Sequence, residues 1–428
     1  MEQVFVFDDY EFLQNGEVTF RYIISGVEEI VFTEKLTFPH GDFTLIPEPL
    51  RHRLLMNLHL IFGISYWKLY CPKKIKIKNN QLTKEQADFW NVVYTKGLGE
   101  FFYRNNINFK GLIEFPYTNG TNAEPVVFER QNRSLLMLGG GKDSIVAGEL
   151  LKEKKKEFSA FVVNDYSLQK EVVQLLNVGE IIVKRTVDPK LFDFNKRPGT
   201  YNGHVPISAV YAFIGLLTAI LFDYRFIISS NEASANYGNV EYLGERINHQ
   251  WSKSEEFEKL FQNYVKTYIT PDVFYFSLLR HYYEIKIAQL FSQYPKYFPV
   301  FSSCNKNFRI QEKNKTKWCG ECPKCAFIFV TLGAFLSKET LINIFGKNLF
   351  GDETLIDLYK ELLGIKNVKP FECVGTSDEV KLAFYLVYKK KEFTSEVVMR
   401  MFEKEVLPNM KNIDQLKKDL LSDKNLPL

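Results

Sequence analysis

The sequence predicts an α/β protein organised around a doubly wound parallel sheet, and three observations support this fold class. From Ser134 onward, short apolar runs alternate with helical patterns, as successive βαβ units require. Three consecutive glycines separate the first run from its helix, which suits a strand that turns directly into a helix. The stretch Val205–Phe222 has the composition of a helix that is buried against such a sheet.

The strand patterns of this α/β region are each followed by a polar connection or a helical pattern. They lie at Ser134–Leu138, Phe158–Asn164, Glu180–Lys184 and Phe226–Ser230. Ligands of doubly wound sheets bind beyond the carboxyl ends of the strands. The segments that follow these strands are therefore where a functional site is expected.

The first 128 residues predict an N-terminal α+β domain. Its strand patterns, Val4–Phe12, Val18–Ser25 and Glu28–Phe38, are joined by Asn-Gly and Ser-Gly turns, as in a β-meander. The stretch Pro116–Glu129, which is rich in Thr, Asn, Gly and Pro, is the best linker to the next domain. We place the α/β domain at residues 129–300 and a cysteine-rich segment with a helical C-terminal region at residues 301–428.

The composition of the 428 residues is that of a soluble enzyme. The 55 basic and 51 acidic residues give a formal charge of +4, a balance that argues against a nucleic-acid partner. The N-terminus has neither a basic start nor a long apolar core, so we expect no secretory signal and a cytoplasmic protein. Val205–Phe222 has 18 residues without a formal charge, the lower limit of a membrane span, but its polar Ser208, Tyr211 and Thr218 favour a buried helix without membrane insertion.

Four of the six cysteines form a pattern that is typical of a metal site. Cys304, Cys319, Cys322 and Cys325 follow the spacing C-x14-C-x2-C-x2-C. Four thiolates without a nearby histidine fit a closed tetrahedral Zn²⁺ site of the structural kind. A redox pair needs a single Cys-x-x-Cys on a thioredoxin-like unit, which this pattern is not. Reduced buried cysteines and an iron–sulfur cluster remain open as alternatives, because thiolates alone do not select the metal.

The strongest indication of chemical function lies in the six residues after the strand pattern Ser134–Leu138: Gly139, Gly140, Gly141, Lys142, Asp143 and Ser144. A strand, a glycine turn and a helix N-terminus together form a cradle for an anion. The spacing matches neither the common P-loop nor the dinucleotide-binding Gly-x-Gly-x-x-Gly. It resembles the pyrophosphate loop of the ATP pyrophosphatase (PP-loop) superfamily, Ser-Gly-Gly-x-Asp-Ser. A tight turn without a ligand is the alternative.

This resemblance implies a sheet of the PP-loop type and an ATP-binding role for all six residues. Enzymes of the superfamily split ATP into AMP and pyrophosphate, most often to adenylate a substrate oxygen. Asp143 would help to place Mg²⁺ on the pyrophosphate, and Lys142 and Ser144 would contact phosphate. Gly139 stands where the superfamily pattern has serine, so one hydroxyl contact to phosphate is missing.

The polar stretch from Ser229 to Lys253 follows a strand end and supplies most of the remaining candidates. A polar connection of this length at the ligand end of a sheet indicates a functional role. Glu232 is a candidate for a substrate or metal contact, and His249 and Lys253 are candidates for proton transfer. A hydrogen-bonded structural role stays open for His249, and an N-cap or anion contact stays open for His204.

The loop and the cysteines together resemble two families of adenylating enzymes. The 7-cyano-7-deazaguanine synthases adenylate a carboxylate on a deazapurine, but their chains are much shorter. Over most of residues 131–376 the chain is more similar to the UDP-N-acetylmuramoyl-L-alanyl-L-glutamate epimerases of bacterial peptidoglycan synthesis. The segments that carry this resemblance are Gly139–Ser144, Asn231–Ser254, Pro299–Cys304, Trp318–Phe327 and Lys369–Gly375. A catalytically silent ligand-binding module is a third class, against which the intact Lys-Asp-Ser of the loop argues.

The epimerase resemblance implies ATP, Mg²⁺ and a UDP-linked muramoyl dipeptide as ligands. Converting the glutamate carboxylate to an acyl adenylate removes its charge, so that the proton on Cα becomes far easier to abstract. A base then removes this proton, reprotonation on the other face inverts the centre, and hydrolysis releases AMP. The candidates for the base are Glu232, His249, Lys253 and, by analogy with cysteine-using glutamate racemases, Cys373, and the sequence does not select one of them.

Overall fold

The computed structural model describes residues 2–13, 15–26, 28–120, 124–164, 167–304, 306, 317–366 and 368–427. The strands are β1 (Val4–Phe12), β2 (Glu17–Ser25), β3 (Ile30–Thr37), β4 (Lys74–Ile77), β5 (Ser134–Met137), β6 (Phe158–Val163), β7 (Glu180–Thr186), β8 (Phe226–Ser229), β9 (Val240–Tyr242), β10 (Glu245–Ile247) and β11 (Phe274–Ser277). The α-helices are α1 (Glu48–Trp67), α2 (Lys84–Gly97), α3 (Gly99–Arg104), α4 (Lys142–Glu153), α5 (Ser167–Leu176), α6 (Lys190–Phe194), α7 (Ile207–Leu221), α8 (Glu255–Tyr268), α9 (Glu284–Phe291), α10 (Pro323–Gly333), α11 (Lys338–Phe345), α12 (Ile356–Leu362), α13 (Ser377–Lys390), α14 (Val397–Glu405) and α15 (Ile413–Leu421).

Nine of these strands form one sheet in the order β11-β8-β5-β6-β7-β3-β2-β1-β4. The strands from β11 to β7 are parallel to one another. From β5 the chain first builds outward through β6 and β7, and then crosses to the other side of β5 to form β8 and β11. The carboxyl ends of β5 and β8 therefore flank the point where the winding reverses, which is where such sheets bind ligands.

Helices cover both faces of this part of the sheet, and the strand residues alternate accordingly. In β5, Leu135 joins the core on one face and Leu136 the core on the other, and Ile227 and Ile228 of β8 divide in the same way. One core contains buried side chains of α1, α2, α7 and α8, and the other contains those of α4, α9, α10 and α13. The prediction of an α/β protein with a large, mostly parallel sheet and a helical C-terminal region is confirmed.

The N-terminal strands extend this sheet instead of forming a sheet of their own. Strands β1, β2 and β3 are an antiparallel meander with bounds close to those that the sequence predicted. Strand β3 then pairs antiparallel with β7, and Leu36 lies opposite Arg185. This junction left no pattern in the sequence, because a pairing of three residues produces no periodic signal. The domain boundary at residue 128 stays a prediction.

The apolar stretch forms helix α7, which begins after Pro206 and ends at Leu221. Most of its side chains are buried, and it packs against α1, β5 and β8. The hydroxyl of Thr218 donates to the backbone oxygen of Ile214 at 2.8 Å, so this buried polar group is satisfied within the helix. The prediction of a buried helix is confirmed. Within the described residues, no helix is long and apolar enough to cross a membrane.

The polar stretch from Ser229 to Lys253 contains more regular structure than the sequence indicated. It holds short 3-10 turns and a hairpin of β9 and β10, whose turn residues Leu243 and Gly244 have φ of +54° and +80°. A second element that the sequence did not predict is β11, a strand of four residues at the edge of the sheet. Strands this short fall below the length over which alternation identifies a strand.

A buried ion pair fixes the junction between β3 and β7. Nε of Arg185 lies 2.6 Å from Oε1 of Glu34, and the hydroxyl of Tyr66 donates to the other carboxylate oxygen at 2.8 Å. The Glu34 side chain is fully buried, and that of Arg185 is 8% exposed. A carboxylate in this place is stable only together with its partners, because an unpaired buried charge is strongly destabilising.

We predict that Arg185→Met lowers the free energy of unfolding by about 3–5 kcal/mol, because the Glu34 carboxylate is then buried without a counter-ion. The double variant with Glu34→Gln should recover part of this loss. Lys35→Met, on β3 next to Glu34, is the matched control. It removes a partly exposed ion pair with Glu17 and should lower the free energy of unfolding by about 1 kcal/mol or less. Urea denaturation measures all three variants, and equal losses in Arg185→Met and Lys35→Met would contradict the prediction.

Candidate active site

The glycine turn joins β5 to α4 at the point where the sheet reverses its winding. Gly140 has a φ of +81°, a conformation that side chains other than glycine rarely adopt. Gly141 is the N-cap of α4, and no side chain caps the N-terminus of this helix. A Cβ atom at Gly139 would meet nothing within 4 Å, so the turn borders open space. The first turn of α4 therefore presents uncapped N–H groups, an arrangement that stabilises an anion.

Lys142 and Asp143 have different surroundings. The Lys142 side chain is fully buried, and its ammonium group forms ion pairs with Asp143 and Glu284. Burial by itself lowers the pKa of Lys142, but the two carboxylates outweigh burial and raise this pKa above its usual value. The Asp143 side chain is 22% exposed. Lys142 is therefore a charged anchor, and Asp143 is the loop residue with carboxylate oxygens accessible to a ligand.

Glu284 connects the start of α4, directly after the glycine turn, to the C-terminal region. One of its carboxylate oxygens accepts from Lys142, and the other accepts from Lys324 at 3.2 Å. Lys324 lies on α10 and also donates to the backbone oxygen of Cys373. Burial by itself raises the pKa of Glu284, but the two lysines lower it to about 2. The carboxylate therefore stays ionised and holds α4, α9, α10 and Cys373 together.

Glu232 and Lys253 belong to the same charged cluster. Glu232 is 2% exposed, and its Oε1 has no hydrogen-bond partner among the described residues. Burial, reinforced by the negative charge of Glu284, raises the pKa of Glu232 to about 7. The negative charges that act on Lys253 are those of Cys373, Glu232, Asp143 and Glu284. A carboxyl group that titrates near neutral pH beside an ammonium group is suited to proton transfer.

A thiol, an imidazole and a carboxylate form a row beside this cluster. Sγ of Cys373 lies 3.9 Å from Nε2 of His249, and Nδ1 of His249 is hydrogen-bonded to Oε2 of Glu100. Oε1 of Glu100 accepts from Arg104 at 2.6 Å. Nδ1 of His204 lies 3.4 Å from the same Glu100 oxygen that His249 contacts. This order of groups is that of an activated nucleophile or base.

The charges in this row favour an ion pair between Cys373 and His249. Burial by itself raises the pKa of the Cys373 thiol, but the positive charge of Lys253 and the contact with His249 lower it to about 5. Burial lowers the pKa of His249, but its contacts with Cys373 and Glu100 raise it to about 9. For His204, burial and the charge of His249 lower the pKa to about 3. These shifts favour a Cys373 thiolate, a His249 imidazolium and a neutral His204 at neutral pH.

The segment that carries Cys373 is held against α3 and the polar stretch. Phe371 stacks on Tyr103 of α3 with ring centroids 5.3 Å apart. The side-chain amide of Asn239 donates to the backbone oxygen of Pro370 at 2.8 Å. These contacts bring Cys373, from the C-terminal part of the chain, to the histidine of the polar stretch.

The four cysteines that the sequence predicted as metal ligands come together. Their sulfur atoms all lie within 4.8 Å of one another, and those of Cys319 and Cys325 are 3.6 Å apart. Sulfurs bound at about 2.3 Å to a tetrahedral zinc ion are about 3.8 Å apart. Cys322 is the N-cap of α10, and its sulfur accepts from the N–H of Cys325 at 3.4 Å. Cys304 precedes the other three cysteines in the chain, and residues 305 and 307–316 of the intervening segment lie outside the described residues.

The structure brings the other sequence-predicted residues to one place. Asp143, Glu232, His249 and Lys253 all contact, or act electrostatically on, the groups around Glu284 and Cys373. The cysteine group lies next to this cluster, because Lys324 of the cluster directly precedes Cys325 in the chain.

The sequence did not indicate three residues of this candidate site: Glu100, Glu284 and Lys324. Each is a charged residue within or at the start of a helical pattern, where the usual interpretation is a solvated face. One sequence signal could have found such a residue: a charged residue whose neighbours in the sequence are expected to be buried. Lys324, between two metal-type cysteines and followed by an apolar helix, is the clearest case.

Comparison with known proteins identifies the family. The model of the MurL N-terminal domain matches residues 1–278, and that of the MurL C-terminal domain matches residues 300–417. UDP-N-acetyl-alpha-D-muramoyl-L-alanyl-L-glutamate epimerase of Xanthomonas oryzae pv. oryzae is 35% identical over 401 residues, which are 93% of this chain and 88% of the relative. Relatives with the same name from Micromonospora sp. and Salinispora tropica are 36% and 35% identical over 92% and 90% of this chain, and over 89% and 84% of their own lengths. The chain therefore belongs to the MurL family, the family of UDP-N-acetylmuramoyl-L-alanyl-L-glutamate epimerases.

Proposed function

We propose that this protein inverts the terminal L-glutamate of UDP-N-acetylmuramoyl-L-alanyl-L-glutamate to D-glutamate, as a step of peptidoglycan synthesis. The names of its relatives support this reaction and this substrate. We propose further that the reaction consumes ATP and passes through an acyl adenylate, with release of AMP and pyrophosphate. The observation that carries this second part is the glycine turn at the switch point of the sheet, followed by an aspartate that reaches solvent.

The residues of the loop fit a chain of phosphates. Bare backbone at Gly139–Gly141 allows close approach, and the uncapped N-terminus of α4 offers N–H donors. A Cβ atom at Gly139 would meet open space, so the serine of the PP-loop pattern would fit at this position. Glycine in its place therefore removes a hydroxyl group but needs no change in the shape of the turn. The strand order around β5 supports a sheet of the PP-loop type.

Asp143 is suited to hold Mg²⁺ together with phosphate oxygens, because Mg²⁺ at nucleotide sites uses one or two carboxylates and keeps its other positions for phosphate and water. When bound, the ion would neutralise charge on the pyrophosphate leaving group. The ion pair with Lys142 orients the Asp143 side chain, and Glu284 in turn fixes Lys142. The loop aspartate is thus held in place before any ligand binds.

Four cysteine sulfurs within 4.8 Å of one another suit a structural zinc ion, because four thiolate ligands would fill a tetrahedral site and leave no open position for substrate. The ion would tie Cys304 to the start of α10. Because Lys324 lies on this turn of α10, a bound ion would also help to hold Lys324 beside Glu284. We therefore assign the cysteines a role in stability and not in chemistry.

A cavity of about 690 Å³ supports a large substrate. It is lined by Asn236, Arg246, Asn248 and Trp251, among others, which belong to the stretch that also carries His249 and Lys253. Cavities of this size accommodate whole cofactors or drug-sized ligands. Arg246 is suited to a phosphate group, since its guanidinium offers two parallel N–H donors. We assign this cavity to the nucleotide-linked part of the substrate.

We predict that ATP is split into AMP and pyrophosphate, and that Asp143→Asn lowers turnover roughly a hundredfold or more because a metal-positioning charge is lost. Chromatography of labelled ATP after incubation with Mg²⁺ and the muramoyl dipeptide measures both. Asp88→Asn on the exposed face of α2 is the matched control and should behave as the wild type. ADP and orthophosphate as the first products would contradict the prediction.

A second expectation concerns the cysteine group. The purified protein should contain one zinc ion per chain, and Cys322→Ser should lose both the ion and thermal stability, because metal binding contributes directly to folding. Cys71→Ser, which changes a buried cysteine outside the group, should retain the zinc. Elemental analysis measures the zinc content of each protein, and thermal unfolding measures its stability. Iron with a visible charge-transfer band would assign an iron–sulfur cluster instead.

The epimerisation has its own test. In D₂O, the D-glutamate product should carry deuterium on its α-carbon, because the original proton is removed and a solvent-derived one returns. Free L-glutamate should be a poor substrate, because remote parts of a large ligand position the reacting end. Mass spectrometry with chiral analysis measures both. Conversion of a carboxydeazaguanine to a nitrile, without change at glutamate, would instead support the 7-cyano-7-deazaguanine synthase alternative.

A further inference from the structure

Cys373 lies where the charge network of the phosphate loop meets the row of His249 and Glu100. Its backbone oxygen accepts from Lys324, and Lys324 pairs with Glu284, which also pairs with Lys142 of the loop. Two side chains therefore separate the backbone of Cys373 from the phosphate loop. The glycine turn and Cys373 therefore belong to one connected network of charged groups.

The histidine beside this thiol has one ring nitrogen committed to another partner. Nδ1 of His249 is hydrogen-bonded to Glu100, so Nε2 is the nitrogen that faces the sulfur at 3.9 Å. The His249 side chain is 13% exposed and that of Glu100 is 7% exposed. The backbone N–H of His249 donates to Asn239 at 2.9 Å, which fixes the main chain as well. The imidazole is thus held in one orientation toward Cys373.

The charges around the Cys373 thiol favour its ionised form. Two buried polar atoms in the same region also lack hydrogen-bond partners. The charged groups that act electrostatically on Cys373 include Lys253 and His249 from the polar stretch, Lys324 from α10, and Lys369 and Glu372 from its own segment. Within the described residues, Nζ of Lys369 and Oε1 of Glu232 are buried without a hydrogen-bond partner. Buried polar atoms without partners are rare in folded proteins and are expected where a bound substrate supplies the missing contacts.

We propose that the Cys373 thiolate is the base that removes the α-proton of the activated L-glutamate, and that the Lys253 ammonium group returns a proton to the α-carbon. His249 and Glu100 are positioning residues that hold the thiolate. This inference rests on the proposed epimerase function and names the groups that carry out its proton transfers.

The proton transfers balance without any further reagent. The Cα–H bond of the L-substrate breaks, an S–H bond forms on Cys373, and the electron pair enters the activated carbonyl group as an enolate. A proton from the Lys253 ammonium then forms the new Cα–H bond of the D-product. Transfer of the proton from the Cys373 thiol to the Lys253 amine restores the starting charges. The thiolate form of Cys373 can accept the proton directly, because the thiol does not first have to lose its own proton.

The first test follows deuterium from D₂O into both the recovered L-substrate and the D-product. Cys373→Ala and Cys373→Ser should lose α-proton exchange at least about a hundredfold more than they lose ATP–pyrophosphate exchange, because general-base catalysis contributes 10²–10⁴-fold. ATP–pyrophosphate exchange also shows that each variant is folded and still binds its substrates. Labelled D-product from Cys373→Ala at close to the wild-type rate would overturn the proposal.

Lys253→Met separates the two proton transfers. With the thiolate present and the ammonium absent, deuterium should enter recovered L-substrate more often than the centre is inverted, so the ratio of exchange to inversion should rise above that of the wild type. An unchanged ratio would remove Lys253 from the mechanism. If the wild type itself forms no D-glutamate product, the proposed function fails, and this result differs from every outcome that tests Cys373.

The positioning role of His249 is tested by alkylation with iodoacetamide as a function of pH. In the wild type, the midpoint of Cys373 alkylation should lie well below that of an ordinary thiol, because Lys253 and His249 lower the pKa of Cys373 to about 5 and half of the thiol is ionised at its pKa. His249→Gln removes the imidazolium, so this midpoint should move upward by about one pH unit or more. Cys71, a buried cysteine whose pKa burial raises to about 12, is the internal control. An unchanged midpoint in His249→Gln would reject the role of His249.

Discussion

The buried carboxylate of Glu284 is the group on which the arrangement of the candidate active site depends. It pairs with Lys142 from the start of α4 and with Lys324 from α10, and all three side chains are almost completely removed from water. Loss of Glu284 would remove the carboxylate that these two buried ammonium groups share, and removing one partner of a buried ion pair is strongly destabilising. The sheet and the C-terminal helices must therefore keep the relative position in which both ion pairs form. The places of Asp143 and Cys373 follow from this constraint, because Lys142 pairs with the former and Lys324 donates to the latter.

A second buried carboxylate extends the same constraint to the polar stretch. Glu379 of α13 accepts from the hydroxyl of Ser234 at 2.7 Å, from the backbone N–H of Thr376 at 2.7 Å and from that of Ile285 at 3.2 Å. The segment after β8, the start of α9 and the segment after Cys373 are thereby joined through one side chain. Desolvation raises the pKa of Glu379, and these donors oppose the rise. The functional groups of the site thus come from chain segments that are distant in sequence and are held by shared buried acceptors.

This concentration of charge is costly, and the rest of the fold offsets it with apolar burial. Both faces of the sheet are covered by continuous cores that are rich in aromatic side chains, such as Phe89 stacked on Tyr264 with ring centroids 3.8 Å apart. Burial of apolar surface stabilises a fold by roughly 25 cal/mol per Å². In the site itself, by contrast, Oε1 of Glu232 and Nζ of Lys369 lack partners among the described residues. A buried polar group without a hydrogen bond reduces stability, which is the usual trade-off at a site arranged for a ligand.

The sequence by itself determined those features whose signal is local. The glycine turn between β5 and α4, the buried helix α7, the N-terminal meander and the metal-type spacing of the cysteines can all be read within short windows, because periodicity and turn chemistry act over few residues. Tertiary structure alone decided the pairing of β3 with β7, the joining of Lys142 and Lys324 by Glu284, and the meeting of Cys373 with His249 across 124 residues. A charged residue in a helical pattern looks the same whether water or a buried partner satisfies it. Which of the two applies depends on where the chain brings its distant segments, and local sequence does not record that.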